Sequence, residues 1–222
     1  MFVGHFAAGF AAKSVAPRVN LGWLVAAGTL VDLLWTLFLL VGVEHARIVP
    51  GFTAANPMDL YDYPWSHSLA LDAAWSVLAG GLWWLWRRDG RGAVVIGLAV
   101  MSHWVLDVVS HVPDVPLWPG GQTRLGLGVW RSVAATVLVE GALWVAAVAL
   151  YARVTRARDR IGRWGFRAFV VVLTLLYAAG FAGPPPPDIR VVAWTNLAMV
   201  LFLLWPAWFD RHRAPAEPRA GR

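Results

Sequence analysis

Residues 93–112 read AVVIGLAVMSHWVLDVVSHV. A helix needs roughly 20 mainly apolar residues to cross a bilayer, and this run supplies that length. It also carries three groups that do not belong in hydrocarbon: His103, Asp107 and His111. At 100° per residue they fall at about 0°, 40° and 80°, so one narrow helical stripe holds all of them. Asp114 would join at about 20° if the helix continued, but Pro113 ends it and leaves Asp114 at the outer lip. His103 and His111 are about 12 Å apart along the axis, too far to share one ion, whereas neighbours four apart, about 6 Å, can share one. The run predicts a spanning helix with a ligand-bearing face.

Five further apolar runs predict spans over Leu21–Val43, Ser68–Trp86, Val129–Tyr151, Phe166–Ala182 and Ile189–Trp208, the fifth in chain order being the shortest. The fold class is therefore all-α: a polytopic membrane bundle of about six transmembrane helices with a short N-terminal helix. Composition agrees. Of 222 residues 59% are hydrophobic and only 14% charged, against about 25% charged in soluble domains. Cys is absent, which excludes disulfides, thiolate metal sites and a Cys nucleophile. The net charge of +6 could suggest nucleic acid, but the arginines sit between apolar runs, where they set membrane topology.

Arg87–Gly92 holds three Arg, Arg153–Arg167 six, and the tail after Phe209 four. These are expected in the cytoplasm, with both termini. Glu44–His67, Pro113–Gly128 and Gly183–Asp188 are poor in Arg and fall outside. Residues 1–209 form one membrane domain, and 210–222 are expected to be a disordered basic tail. The first 16 residues lack the basic start of a signal peptide, and His5 and Lys13 interrupt them. A helix of that length, about 24 Å, either lies at the interface or dips into the bundle; if it dips, His5 rises about 12 Å above Lys13. No internal repeat is evident.

Asp32, Asp72, Asp107 and Glu140 all fall inside predicted spans. At roughly 2.5–3.5 kcal/mol each, four central acids cost about 10–14 kcal/mol on insertion scales. That rivals a domain's whole net stability, so pairing, protonation, water or a cation must offset it. His67, just before the second span, lies near the outer end of the stripe. His and carboxylate ligands without thiolate favour Zn²⁺, Mn²⁺, Fe²⁺ or Mg²⁺. Interhelical hydrogen bonding alone is the plainer explanation, but such bonds average only about 0.6 kcal/mol. Ser68 beside His67 lacks an oxyanion donor or an orienting third group, and His45 and His212 read as solvated loop residues. Lys13, Arg124 and Arg131 either anchor span ends or grip an anionic head group. The loop Arg47–Tyr61 reads as a lid or a cap on the bundle.

Several motifs are similar to those of a known family. Gly4-His5 followed by Gly9, YPWSHSL (63–69) and SHWVLDVVSHVPDVPLWP (102–119) resemble the T-H-x-x-x-G, H-R-x-x-T-H-S-L and S-H-x-x-x-D blocks of the YdjM-like inner-membrane proteins. That family is held to be metal-dependent hydrolases related to zinc-dependent phospholipase C. The strings at 4–13, 47–61 and 126–130 are similar to a bacterial subgroup of membrane proteins. The resemblance covers about the first 130 residues and leaves the last two spans unexplained. It implies metal ligation by His5, Asp32, His67, His103 and Asp107, with zinc foremost, in a bacterial inner membrane. The chain departs from the pattern twice: Val31-Asp32-Leu33-Leu34 replaces P-D-x-D, and Tyr63 or a neighbour stands for the first His of the second block.

The leading expectation is a membrane-bound metal-dependent hydrolase of a lipid or lipid-linked phosphoester. His111, Asp114 and Glu140 are its candidates for orienting ligands or moving protons. The alternatives are an ion- or proton-coupled transporter, against which no pair of Gly/Pro-broken helices is seen, and a non-catalytic scaffold with a structural metal or polar core. Partners are the bilayer and a lipid substrate, not nucleic acid; the oligomeric state is left open.

Overall fold

A computed structural model describes residues 1–216. Helix α1 (Val3–Ala12) is followed by α2 (Leu21–Gly28) and α3 (Leu30–Leu40). Strands β1 (His45–Ile48) and β2 (Met58–Asp62) form an antiparallel hairpin outside the bundle, and the short α4 (Pro64–His67) leads into α5 (Leu69–Arg87) and α6 (Gly90–Ser110). After the short pair β3 (Val115–Pro116) and β4 (Arg124–Leu125) come α7 (Val133–Val154), β5 (Thr155–Ala157), α8 (Arg160–Ala179), α9 (Ile189–Ala198), α10 (Val200–Arg211) and β6 (Arg213–Pro215).

Among the described residues, five helices are long and apolar enough to cross a membrane, with α9 and α10 counted as one, and the pair α2–α3 adds a sixth span. Their outward faces carry exposed Val77, Leu138, Leu201 and Leu204, which water would penalise and lipid accepts. The protein is a multi-pass all-α membrane bundle.

Local chemistry sets the helix ends. Ser68 caps α5 by accepting from Leu71 N–H. Arg88, at φ 52°, turns the chain, and Asp89 caps α6 at once through Gly92 N–H. The pair α5–α6 is therefore a tight antiparallel hairpin. Asp159 caps α8, which begins at Arg160, six residues before the expected Phe166. The fifth span, expected to be the shortest, is thus 20 residues long. Residues 129–131 form a 3₁₀ turn, so α7 starts at Val133 rather than Val129.

The first span is not continuous. α2 and α3 meet at Thr29 with a bend of 54°, a break that no Pro signals. α1 does not lie at the interface; it inserts between α2 and α7, with Val3, Phe6 and Phe10 buried. Two glycines permit this insertion. A Cβ at Gly9 would stand 2.6 Å from Val25 Cα, and one at Gly28 would stand 2.6 Å from the His5 carbonyl oxygen. Phe6 and Phe10 then pack with Trp144, Tyr151, Phe169 and Phe209 in an aromatic core.

The chain stays packed past residue 209, in contrast to the disordered tail expected from its composition. Asp210 is buried in α10, and β6 pairs antiparallel with β5. The remainder of the expected tail, 217–222, lies outside the described residues. Lys13 Nζ donates to Asp210 Oδ2 at 2.6 Å and to the Val19 carbonyl, and Tyr151 donates its hydroxyl hydrogen to Asp210 Oδ1 at 2.7 Å. Both charges are nearly inaccessible. Lys13→Ala is expected to lower unfolding stability in detergent by about 3–5 kcal/mol, because it strands a buried carboxylate. Lys13→Met with Asp210→Leu is expected to recover most of that loss.

Candidate metal centre

Three histidines and two aspartates converge from four helices. His5 comes from α1, Asp32 from the first turn of α3, His67 from the end of α4, and His103 and Asp107 from successive turns of α6. Asp107 is central. Its Oδ1 lies 3.2 Å from His5 Nε2, and its Oδ2 lies 3.2 Å from His103 Nε2 and 3.5 Å from His67 Nε2. Asp32 faces the same nitrogens: Oδ1 is 3.6 Å from His103 and 3.7 Å from His67, and Oδ2 is 3.9 Å from His5. Two ligand trios result, His5–His103–Asp107 and Asp32–His67–His103, with His103 in both. The nitrogen of Met1 also reaches the cluster, 2.7 Å from Asp107 Oδ1 and 2.8 Å from His5 Nε2.

The donor atoms fit a divalent cation. Two ligands each about 2.1 Å from one tetrahedral ion stand about 3.4 Å apart, and the six nitrogen–oxygen separations above bracket that value. The tautomers fit as well. His103 Nδ1 donates to the Gly28 carbonyl at 3.0 Å. A carbonyl only accepts, so the hydrogen is on Nδ1 and the lone pair of Nε2 is aimed into the cluster. That buried Nε2 has no hydrogen-bond partner. The arrangement is a buried His/Asp group able to hold a metal ion. No family model, curated protein or solved structure matches this chain.

A second layer supports His67. Glu44 is fully buried and accepts three bonds: from Trp65 N–H at 2.7 Å, from Ser66 N–H at 2.8 Å and from the Ser66 hydroxyl at 2.6 Å. Ser66, having donated to Glu44, accepts from His67 Nδ1 at 2.7 Å. Nε2 of His67 is thereby left unprotonated and turned toward Asp32 and Asp107. Burial holds the Glu44 carboxyl above the ordinary carboxylate range, against the pull of its bonds to Ser66 and Trp65. In the sequence alone, Glu44 is merely an acid in an outer loop. Nothing in local spacing links it to Ser66, 22 residues away.

The remaining candidates divide. His111 Nε2 stands 3.5 Å from Asp107 Oδ1, while Nδ1 faces Asp114 Oδ1 at 3.0 Å and the ring stacks on Trp130. Asp114 is outside the cluster and also accepts from the Tyr63 hydroxyl at 2.8 Å. Burial first, and then Asp114, push the Tyr63 phenol well above its ordinary pKa, so it remains a donor. Glu140 is buried on α7, accepts from Phe2 N–H at 2.9 Å and belongs to neither trio. Asp72 does not face water. It is fully buried, with Oδ2 near Trp104 N–H and Oδ1 unpartnered. Ser68 serves as a helix cap. His45, at the start of β1, pairs with Asp62 and His212 with Asp159, both at solvent-exposed positions away from the cluster. Arg124 binds the Asp114 and Tyr61 carbonyls near the hairpin, and Lys13 lies at the opposite, arginine-rich end, so Lys13, Arg124 and Arg131 do not converge.

Asp32, His67 and Asp107 of the cluster line a cavity of about 350 Å³, which His5 and His103 do not reach. His111 and Glu140 line it, and Trp35, Met58, Leu60, Trp130, Leu176 and Phe181 supply apolar wall. Met58 and Leu60 belong to β2, so the segment expected to be a lid or a cap contributes to the cavity lining. The lining contains no Lys or Arg side chain. Gly28→Ala is expected to push α1 off α2, displacing His5 and the carbonyl that orients His103, and to weaken zinc binding by about tenfold or more. A calorimetric titration reads this directly; wild-type affinity in the variant would show that the close approach is dispensable.

Proposed function

We propose that this chain is a membrane-embedded, metal-dependent hydrolase of amphiphilic phosphoesters. The observation that carries the reading is the five-residue His/Asp cluster, three of whose members line an apolar-walled cavity. The motif resemblance to the YdjM-like family leads to the same activity. Three imidazoles and two carboxylates favour zinc, with Mn²⁺, Fe²⁺ and Mg²⁺ as alternatives. By the positive-inside rule the arginine-rich end would face the cytoplasm and the cavity the outer leaflet, and the resemblance implies a bacterial inner membrane.

A divalent ion in this cluster supplies polarisation of a phosphoryl oxygen and acidification of water. The protein does the rest. His5, Asp32, His67, His103 and Asp107 hold the charge in place. His111, fixed by Asp114 and stacked on Trp130, can carry a proton at Nε2 on the cavity wall. Glu140 offers a second carboxylate to the cavity. The apolar wall suits an acyl or isoprenoid chain. Three carboxylates line the cavity, with the Met1 ammonium paired to one of them, so a divalent cation held there would favour an anionic head group.

The test is turnover of a phospholipid and isoprenoid-phosphate panel by detergent-purified protein. Metal-loaded wild type is expected to hydrolyse at least one member and lose the activity on chelation. A folded, metal-loaded protein that hydrolyses none of them sinks the reading. The break at Thr29 favours a second one, because discontinuous helices carrying an acid also build ion pathways. Against it, α1 between the cluster and Lys13 carries the tightly buried Phe6 and Phe10 of the aromatic core. A proteoliposome flux abolished by Asp107→Asn would favour transport, and a loss of stability alone would favour a scaffold.

A further inference from the structure

We infer that a second cavity, at the arginine-rich end, is a binding site for a phosphate group. This cavity of about 310 Å³ is separate from the metal centre. Lys13 and Arg18 line it from the end of α1 and the turn before α2, Arg158 from the turn after β5, Arg211 from the end of α10 and Arg213 from β6; among the described residues Asp210 is the one acid.

Arginines at the inner ends of membrane helices ordinarily fan out toward water and head groups. Here they rim one concavity, and the backbone holds them there. The β5–β6 ribbon is extended by Arg158 N–H donating to the His212 carbonyl at 2.9 Å, which fixes the backbone of Arg158 at the rim that Arg211 also lines. Arg213 lies over the Tyr151 and Phe166 rings and donates to Thr155 Oγ1 and to the Gly162 carbonyl. Asp210 is consumed by Lys13, and among the described residues no other acid lines the cavity. Among the described residues, Arg18, Arg158 and Arg211 are exposed and make no side-chain hydrogen bond or ion pair. Arg213 is held by its bonds to Thr155 and Gly162, and the three guanidinium groups free of such bonds on the same rim have donors that match the oxygens of a phosphate, which an arginine can bind in bidentate fashion. Basic pockets at inner helix ends hold anionic lipid head groups by this chemistry, and a soluble phosphate presents the same oxygens.

The experiment uses the full chain in detergent. Native mass spectrometry measures retention of phosphatidylglycerol against phosphatidylcholine. Thermal shift measures inorganic phosphate against chloride at equal ionic strength. The triple variant Arg18→Gln, Arg158→Gln, Arg211→Gln is compared with Arg87→Gln, Arg88→Gln, which removes charge at the same end outside the cavity. Wild type is expected to prefer the anionic ligand, with about tenfold weaker binding for each cavity guanidinium lost, and the control pair to bind as wild type. Phosphatidylglycerol retention identifies a lipid source. A phosphate shift without lipid retention identifies a soluble one. Equal binding by wild type and the triple variant, or equal loss in the control pair, overturns the site.

Discussion

Asp107→Asn is expected to weaken divalent-metal binding by more than about 100-fold, beyond the usual cost of losing an outer partner, and to remove turnover with it. Asp107 is the group on which the cluster is centred, with Oδ1 facing His5 and Oδ2 facing His103 and His67. Asn keeps the volume but loses the charge, and its amide nitrogen cannot serve as a ligand. Asn is isosteric and the Asp89 cap keeps the start of α6, but the buried Met1 ammonium loses its carboxylate partner, so a drop in melting temperature is expected beside the loss of affinity. The measurement is a calorimetric titration of purified variant and wild type with zinc, alongside a melting curve. Wild-type affinity in the Asp107→Asn variant would remove Asp107 from the ligand set.

The second large effect falls on a residue that never reaches the cluster. Glu44→Gln is expected to lower metal affinity by about 10–100-fold at small cost in stability. The position of one proton decides the effect. Glu44 accepts the Ser66 hydroxyl hydrogen, which makes Ser66 an acceptor for His67 Nδ1–H. A glutamine can still accept Trp65 and Ser66 N–H through its oxygen, but its amide then donates to the Ser66 hydroxyl. Ser66 must turn its hydrogen toward His67 Nδ1, and the proton of His67 moves to Nε2, the atom needed for ligation. A loss of melting temperature without a change in affinity would assign Glu44 a structural role only. Glu44→Asp, which keeps the acceptor character, is expected to restore part of the affinity.

The two kinds of residue explain what a sequence can and cannot display. His103, Asp107 and Asp32 are legible because an ionisable group in an apolar run is expensive and calls for a partner. His5 is ambiguous in sequence, since a short α1 could lie at the interface or insert. The close approaches at Gly9 and Gly28 decide for insertion, and neither can be inferred from one-dimensional spacing. The break at Thr29 is hidden because Gly28 and Thr29 sit inside an apolar run without Pro. The start of α8 is hidden because its first turns are polar, though Asp159 caps them. Glu44 is hidden because its partners are far along the chain. Long apolar runs report spans well. Contacts between spans, and the outer partners of ligands, are tertiary facts.

The most direct test of the metal centre is elemental mass spectrometry of detergent-purified wild type and His103→Ala. His103 belongs to both ligand trios, so its loss affects every arrangement of ions that the cluster can hold. Wild type is predicted to carry at least one tightly held divalent ion per chain, and the variant none while it elutes and melts as a folded protein. No ion in either protein, after zinc and manganese have been added back, would contradict a metal-holding cluster.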